Sequence, residues 1–162
     1  EDGTVHRAVS LNVTEHLIDP VGHLLACHRL VSGKLKKRMI IWDDLFDIYP
    51  RALEQLPRDT VLCAWHYDAV VDRPRGHTGG PAEDIFARYR RMGFETIFAP
   101  AQFSLRNVET LTSYAAAHKP MGALMTVWEL SREFLHANYP VLAYGGAAWS
   151  GRRPAASSRC TW

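Results

Sequence analysis

The chain has 162 residues, 47% of them hydrophobic and 22% charged, with a formal net charge of +2. That content suits one core of ordinary domain size, and the mild charge argues against a nucleic-acid partner, which selects a concentrated basic face. No apolar run approaches the roughly 18 residues that a membrane-spanning helix needs.

In chain order, the first expected element is a helix opening at Pro20. Val21, Leu24, Leu25, His28 and Val31 fall on one face, and Gly33 is its expected stop. The basic stretch "KLKKR", 34–38, reads as a solvated loop. "RMIIW", 38–42, is a short apolar strand that closes on Trp42, Asp43 and Asp44. Adjacent side chains on an extended segment point to opposite sides, so one aspartate faces a site while Asp44 caps the next helix. "TVLCAW", 60–65, is a second strand, followed by His66, Tyr67 and Asp68. The glycine-rich "RPRGHTGGP", 73–81, lacks the Gly-Lys-Ser/Thr of a phosphate loop and reads as a long connection.

"AEDIFARYRRMG", 82–93, sets Ile85, Phe86, Tyr89 and Met92 on one helical stripe and ends at Gly93. Its acidic start and basic end suit the helix dipole. "ETIFAP", 95–100, is a third strand. "NVETLTSYAAAH", 107–118, aligns Val108, Leu111 and Ala115, with Ser104 as an expected N-cap. "ALMTVW", 123–128, is a fourth strand. "YPVLAYGGAAW", 139–149, starts like a helix, but Gly145 and Gly146 weaken it. Residues 1–149 form the expected domain, and 150–162 an irregular tail.

Continuous apolar strands alternating with helices predict a parallel sheet buried on both faces. A doubly wound sheet and part of a (β/α)8 barrel both satisfy that pattern. A whole barrel takes about 250 residues, so a barrel here is roughly half of one.

The chemistry-bearing residues sit where three strands end, at Trp42, Trp65 and Trp128. In parallel α/β folds, sites form at the carboxyl ends of strands. A single tryptophan there is more often core than wall, but three at equivalent places point to a pocket. An indole offers a flat apolar face with one N–H donor. With Asp43, Tyr67, Asp68, Glu129 and Arg132 nearby, the set suits a sugar ring, apolar on its faces and polar at its rim. Eight histidines are present, but no His-Glu-x-x-His, so neither a metal nor a cofactor is expected. Cys27, Cys63 and Cys160 form no close pair, which fits neither a disulfide framework nor a zinc site. They suit a reducing compartment. The polar, acidic start is unlike a secretory leader, so a cytoplasmic location is expected.

"MIIWDDLFDIYPRALEQLPRDTVLCAWHYD" resembles the fifth and sixth strands of glycoside hydrolase family 20, the β-N-acetylhexosaminidases, in the branch similar to hexosaminidase D. "GFETIFAP" resembles the seventh strand, and "GALMTVWELSREFLHANYPVLAYGGAAW" the eighth strand and closing helix. The resemblance covers about residues 15–149. It implies a partial (β/α)8 barrel, roughly strands 5–8 with their helices. It also implies action on terminal N-acetylhexosamine, with the substrate's acetamido oxygen as nucleophile. Trp42 would line the acetamido pocket, Trp65 would form another wall, and Trp128 would lie under the sugar. Glu129 would bind hydroxyls, although relatives often have Trp-x-Glu where this chain has Trp-Glu, and Arg132 is the alternative hydroxyl ligand. The family's Tyr-x-Asp after the seventh strand is replaced by "AQFSLRN", which leaves Tyr67 and Asp68 as substitutes. The catalytic Asp-Glu pair has no counterpart, because the sequence contains no Asp-Glu dipeptide. The chain alone is therefore expected to be inactive. The alternative is a non-catalytic carbohydrate-binding α/β module. The expected partner is an N-acetylhexosamine-containing glycan or glycoside, with self-association through open sheet edges.

Overall fold

The computed structural model describes residues 17–72, 84–128 and 135–151. Among them are six α-helices and four strands, and the strands form one parallel sheet in the order β1-β2-β3-β4. The result is an α/β protein. The chain divides into two compact units, one from Glu1–Ala64 with Arg75–Thr96 and one from Trp65–Pro74 with Ile97–Trp162.

The first unit opens with α1, Pro20–His28. Asp19 caps it, accepting from the Gly22 N–H at 2.8 Å, and Pro20 takes a position whose N–H needs no partner. The helical run ends at Lys34, one residue past the expected stop at Gly33, but its last turn is not α-helical. The chain continues as a π-helical segment, Arg29–Lys34, and turns away at Lys36, whose φ is 53°. Ser32 Oγ donates to the Lys37 carbonyl across that turn. β1, Ile40–Trp42, pairs in register with β2, Val61–Trp65, through Ile40–Val61, Ile41–Leu62 and Trp42–Cys63.

Between these strands lie two four-residue helices: α2, Leu45–Ile48, which begins where Asp44 was expected to precede a helix, and α3, Ala52–Gln55, which the sequence pattern did not suggest. Pro50 separates them, and each buries two residues: Leu45 and Phe46, Ala52 and Leu53. Arg58 then donates to the carbonyls of Leu53 and Leu56 while its guanidinium lies 4.4 Å over the Phe94 ring. α4, Ile85–Arg91, follows the expected pattern closely. Asp84 caps it by accepting from the Ala87 N–H at 3.0 Å, and Ile85, Phe86 and Tyr89 are buried. Gly93 ends the turn at φ 86°, a conformation costly for residues with a Cβ.

β3, Glu95–Ala99, runs from the first unit into the second. In the second unit it pairs with β4, Gly122–Ala123, through Ile97–Gly122 and Phe98–Ala123. The strand expected over 123–128 is therefore only partly regular. Its backbone still tracks β3: Leu124 N–H donates to Phe98 O, Thr126 N–H to Pro100 O, and Gln102 N–H to Thr126 O. α5, Leu105–Ala116, buries Val108, Leu111 and Ala115 as expected. Ser104 stands at its N-cap position in extended backbone but makes no capping bond through its side chain.

α6, Tyr139–Trp149, is helical through both glycines. Gly145 is buried where a Cβ would come within 2.7 Å of Met125 Cε, so close packing outweighs its low propensity. Trp149 Nε1–H donates to Thr112 Oγ1 at 3.0 Å, and Tyr144 Oη donates to Glu109, joining α6 to α5. Nearly all of the expected tail, and the glycine-rich 73–81 connection, lie outside the described residues. No described helix is long and apolar enough to cross a membrane.

Candidate functional site

The second unit collects aromatic residues where its strands end. Trp65 is the last residue of β2, and two residues on, Tyr67 lies against it with ring centroids 4.6 Å apart. Trp128, beyond β4, meets Tyr67 at 6.0 Å with the planes 72° apart. Phe103, beyond β3, meets Tyr67 at the same distance with the planes 73° apart. Tyr67 is thus the hub of a four-ring cluster. Offset and edge-to-face contacts of this kind are the favourable ones for aromatic rings. Trp65 and Tyr67 are half-buried, whereas Phe103 and Trp128 are exposed.

Two amide side chains hold the backbones that carry these rings. Asn107, in the first turn of α5, is fully buried. Its Nδ2 donates to the carbonyls of His66 at 2.9 Å and Asp68 at 2.6 Å, the residues on either side of Tyr67. Its Oδ1 accepts from the Ala101 N–H at 3.0 Å. A planar amide with one acceptor and two donors is suited to joining two loops in this way. Gln102 completes the frame, because its Nε2 donates to the Trp128 carbonyl at 2.9 Å. One helical turn beyond Asn107, Thr110 Oγ1 accepts from the Val71 N–H at 3.0 Å and so extends the anchoring of this loop along α5. Neither Asn107 nor Gln102 was singled out from the sequence.

His66 carries the titratable group next to the cluster. Its backbone N–H donates to Ala99 O, and its Nδ1 lies 3.5 Å from Asp68 Oδ2. Burial lowers the imidazole pKa, opposed in part by the charges of Asp68 and Asp72. The Asp68 side chain is exposed to solvent, while its carbonyl is committed to Asn107.

In the first unit, Trp42 ends β1 and is 41% exposed. Asp43, the next residue, is 2% exposed and accepts from Tyr89 Oη at 3.0 Å. This carboxylate is a buried acceptor within the unit's core. Its charge, after burial itself, helps push the Cys63 thiol up to about 12 and Tyr89 well above the ordinary phenol value. Asp44 occupies the N-cap position of α2 without a capping bond from its side chain. Glu129 and Arg132 lie outside the described residues.

Of the sequence-selected set, the second unit therefore brings together Trp65, Tyr67 and Trp128, with Asp68 at their margin. Phe103 joins them, although its sequence context marked it for no role. No group of three or more His, Cys, Asp or Glu side chains suited to a metal ion occurs among the described residues. Compared with protein-family models, with characterised proteins and with solved structures, the chain matches none.

Proposed function

We propose that this chain belongs to a β-N-acetylhexosaminidase-like glycoside hydrolase built on a (β/α)8 plan, and that its strand-end aromatic cluster receives a terminal N-acetylhexosamine. The observation that carries the reading is the packing of Trp65 and Trp128 against Tyr67 at the ends of parallel strands, the edge where such folds place ligands. Trp128 offers an accessible indole face for the apolar side of a pyranose. Tyr67 supplies a neighbouring wall with a hydroxyl at its rim. Asp68, the residue after Tyr67, has an exposed side chain and would provide a carboxylate for sugar hydroxyls or the acetamido N–H.

In the proposed reaction class, the substrate's own acetamido oxygen attacks the anomeric carbon while an enzyme carboxylic acid protonates the departing oxygen. The sequence has no Asp-Glu dipeptide to orient and protonate in that way. The residues here thus bind and orient, and the chain alone leaves the glycosidic bond intact. That same observation favours a second reading, a non-catalytic carbohydrate-binding module using the same rings.

Saturation-transfer NMR with N-acetylglucosamine and glucose tests binding. Contact to the acetamido methyl, and stronger transfer to the acetamido sugar, are expected; no transfer to either sugar would remove the proposal. Incubation with a nitrophenyl N-acetylglucosaminide should release no nitrophenol. Release that disappears when Trp128 is replaced would show that the chain carries its own acid.

A further inference from the structure

The overall charge of +2 conceals an uneven distribution. In the first unit, cations gather where strands begin. Lys34, Lys36 and Lys37 lie on the segment that enters β1, and Arg90 and Arg91 end α4, which feeds β3; all five are exposed. Arg38 shows that these strand starts are neighbours. Its Nε donates to the carbonyl of Asp59, just before β2, at 3.2 Å, and its guanidinium pairs with Glu95, the first residue of β3. The Asp59 carboxylate is in turn bonded to His28 Nε2 at 2.7 Å. Asp59 and Glu95 are thus engaged, and the surrounding cations outnumber them.

The segment that carries the lysines is held in one shape. Leu35 N–H donates to Leu30 O and Lys37 N–H to Val31 O, each at 3.0 Å, while Ser32 Oγ donates to Lys37 O at 3.1 Å. Lys36 stands in left-handed backbone at φ 53°, a conformation that disfavours any residue with a Cβ. Glycine would sit there with less strain, yet the position carries a cation. Strain kept in this way points to a use for the side chain.

The composition of the patch selects its partner. Lysine is a hydrated point charge on a flexible stem, suited to a diffuse field of negative charge rather than to one bidentate group. Leu30 is 39% exposed and stands four residues before Lys34 in the same helical run. An exposed leucine among lysines adds nothing to a contact with nucleic-acid phosphates. In the headgroup region of a bilayer it has an apolar boundary to enter.

We propose that the strand-start end of the first unit is a docking surface for an anionic lipid bilayer, with Lys34, Lys36 and Lys37 facing the headgroup charge and Leu30 the acyl boundary. The surface is independent of the sugar reading, since it uses other residues in the other unit.

Co-sedimentation of the full chain with vesicles tests it, using phosphatidylcholine alone and phosphatidylcholine with about one-third phosphatidylserine, at about 0.05 M salt. The chain should pellet only with the anionic vesicles, and about 0.5 M salt should release it. Replacing Lys34, Lys36 and Lys37 together by Gln should weaken binding on the order of a hundredfold, roughly fivefold for each charge. Lys37→Gln alone should show that single step, whereas Arg106→Gln, an equal charge loss on α5 after the carboxyl end of β3, should show none. Lys36→Gly should melt higher than the parent yet bind more weakly, a divergence that a purely structural lysine would not produce. Failure to bind anionic vesicles, equal binding to neutral ones, or a triple variant that binds like the parent would overturn the proposal. Duplex DNA at the same phosphate concentration should retain less of the chain than the anionic vesicles do; if it retains more, the face serves nucleic acid and the lipid assignment falls.

Discussion

Asp43 and Tyr89 illustrate how one residue's role is decided by its surroundings. A carboxylate next to an exposed tryptophan has the look of a ligand group, yet this one is buried and accepts from a buried phenol. Removing the phenol's hydroxyl leaves a desolvated charge short of a donor. Tyr89→Phe should therefore cost about 1–3 kcal/mol in denaturant unfolding. Tyr89 has its pKa raised by burial and then by the Asp43 charge. Its contribution to stability is fully present below the unfolded value of 10.0 and is lost as pH rises through the folded value. The parent should lose stability above about pH 10 more steeply than Tyr89→Phe.

His66 works in the opposite direction. Burial lowers its pKa, so its contribution is present above the unfolded value of 6.5 and is lost as pH falls through the folded value. His66→Gln should flatten the stability profile on the acid side of pH 6.5, measured as denaturation midpoint against pH.

At the scale of elements, the loop after β2 is ordered by α5 rather than by its own sequence. Asn107 and Thr110 stand one turn apart on that helix and bond three backbone groups of the loop. Asn107→Ala strands two carbonyls and one N–H, and should cost at least about 2 kcal/mol. It should also reduce the near-ultraviolet circular dichroism that arises from Tyr67 packed between indoles, whereas a variant that merely loses stability keeps that signal while folded. α6 allows a change of the opposite sign. Gly146 lies inside the helix, and a methyl group added at its Cα would meet no atom within 4 Å. Gly146→Ala should therefore raise stability by about 0.5–1 kcal/mol in a thermal or urea melt.

For the whole molecule, the sequence revealed the alternation better than the site. "TVLCAW" and "ETIFAP" read as buried strands because nearly every position in them is apolar or β-branched, and β2 and β3 lie within one residue of those limits. Asp84 and Gly93 bracket α4 because capping is local chemistry that a sequence displays directly. Gly33 marked the end of the first helical run to within one residue, but neither the π-helical character of its last turn nor the reversal at Lys36 was visible in the pattern. The fourth strand loses regularity after Ala123, where pairing continues only through alternate N–H groups and a single bridge from Ala101 to Thr126. Asn107 and Gln102 were illegible for another reason. Nothing in "AQFSLRN" states which distant carbonyls will come within reach, and an amide's role emerges only once two loops converge on it.

The most direct measurement is a nitrogen–proton correlation spectrum of the indole groups during titration with N-acetylglucosamine. The chain has five tryptophans, and Trp149 provides an internal reference because its N–H is bonded to Thr112 Oγ1 between α5 and α6. A sugar site on the Tyr67 cluster predicts saturable shifts at Trp65 and Trp128 with Trp149 stationary. Stationary Trp65 and Trp128 signals, or shifts in which Trp149 moves equally, would contradict it.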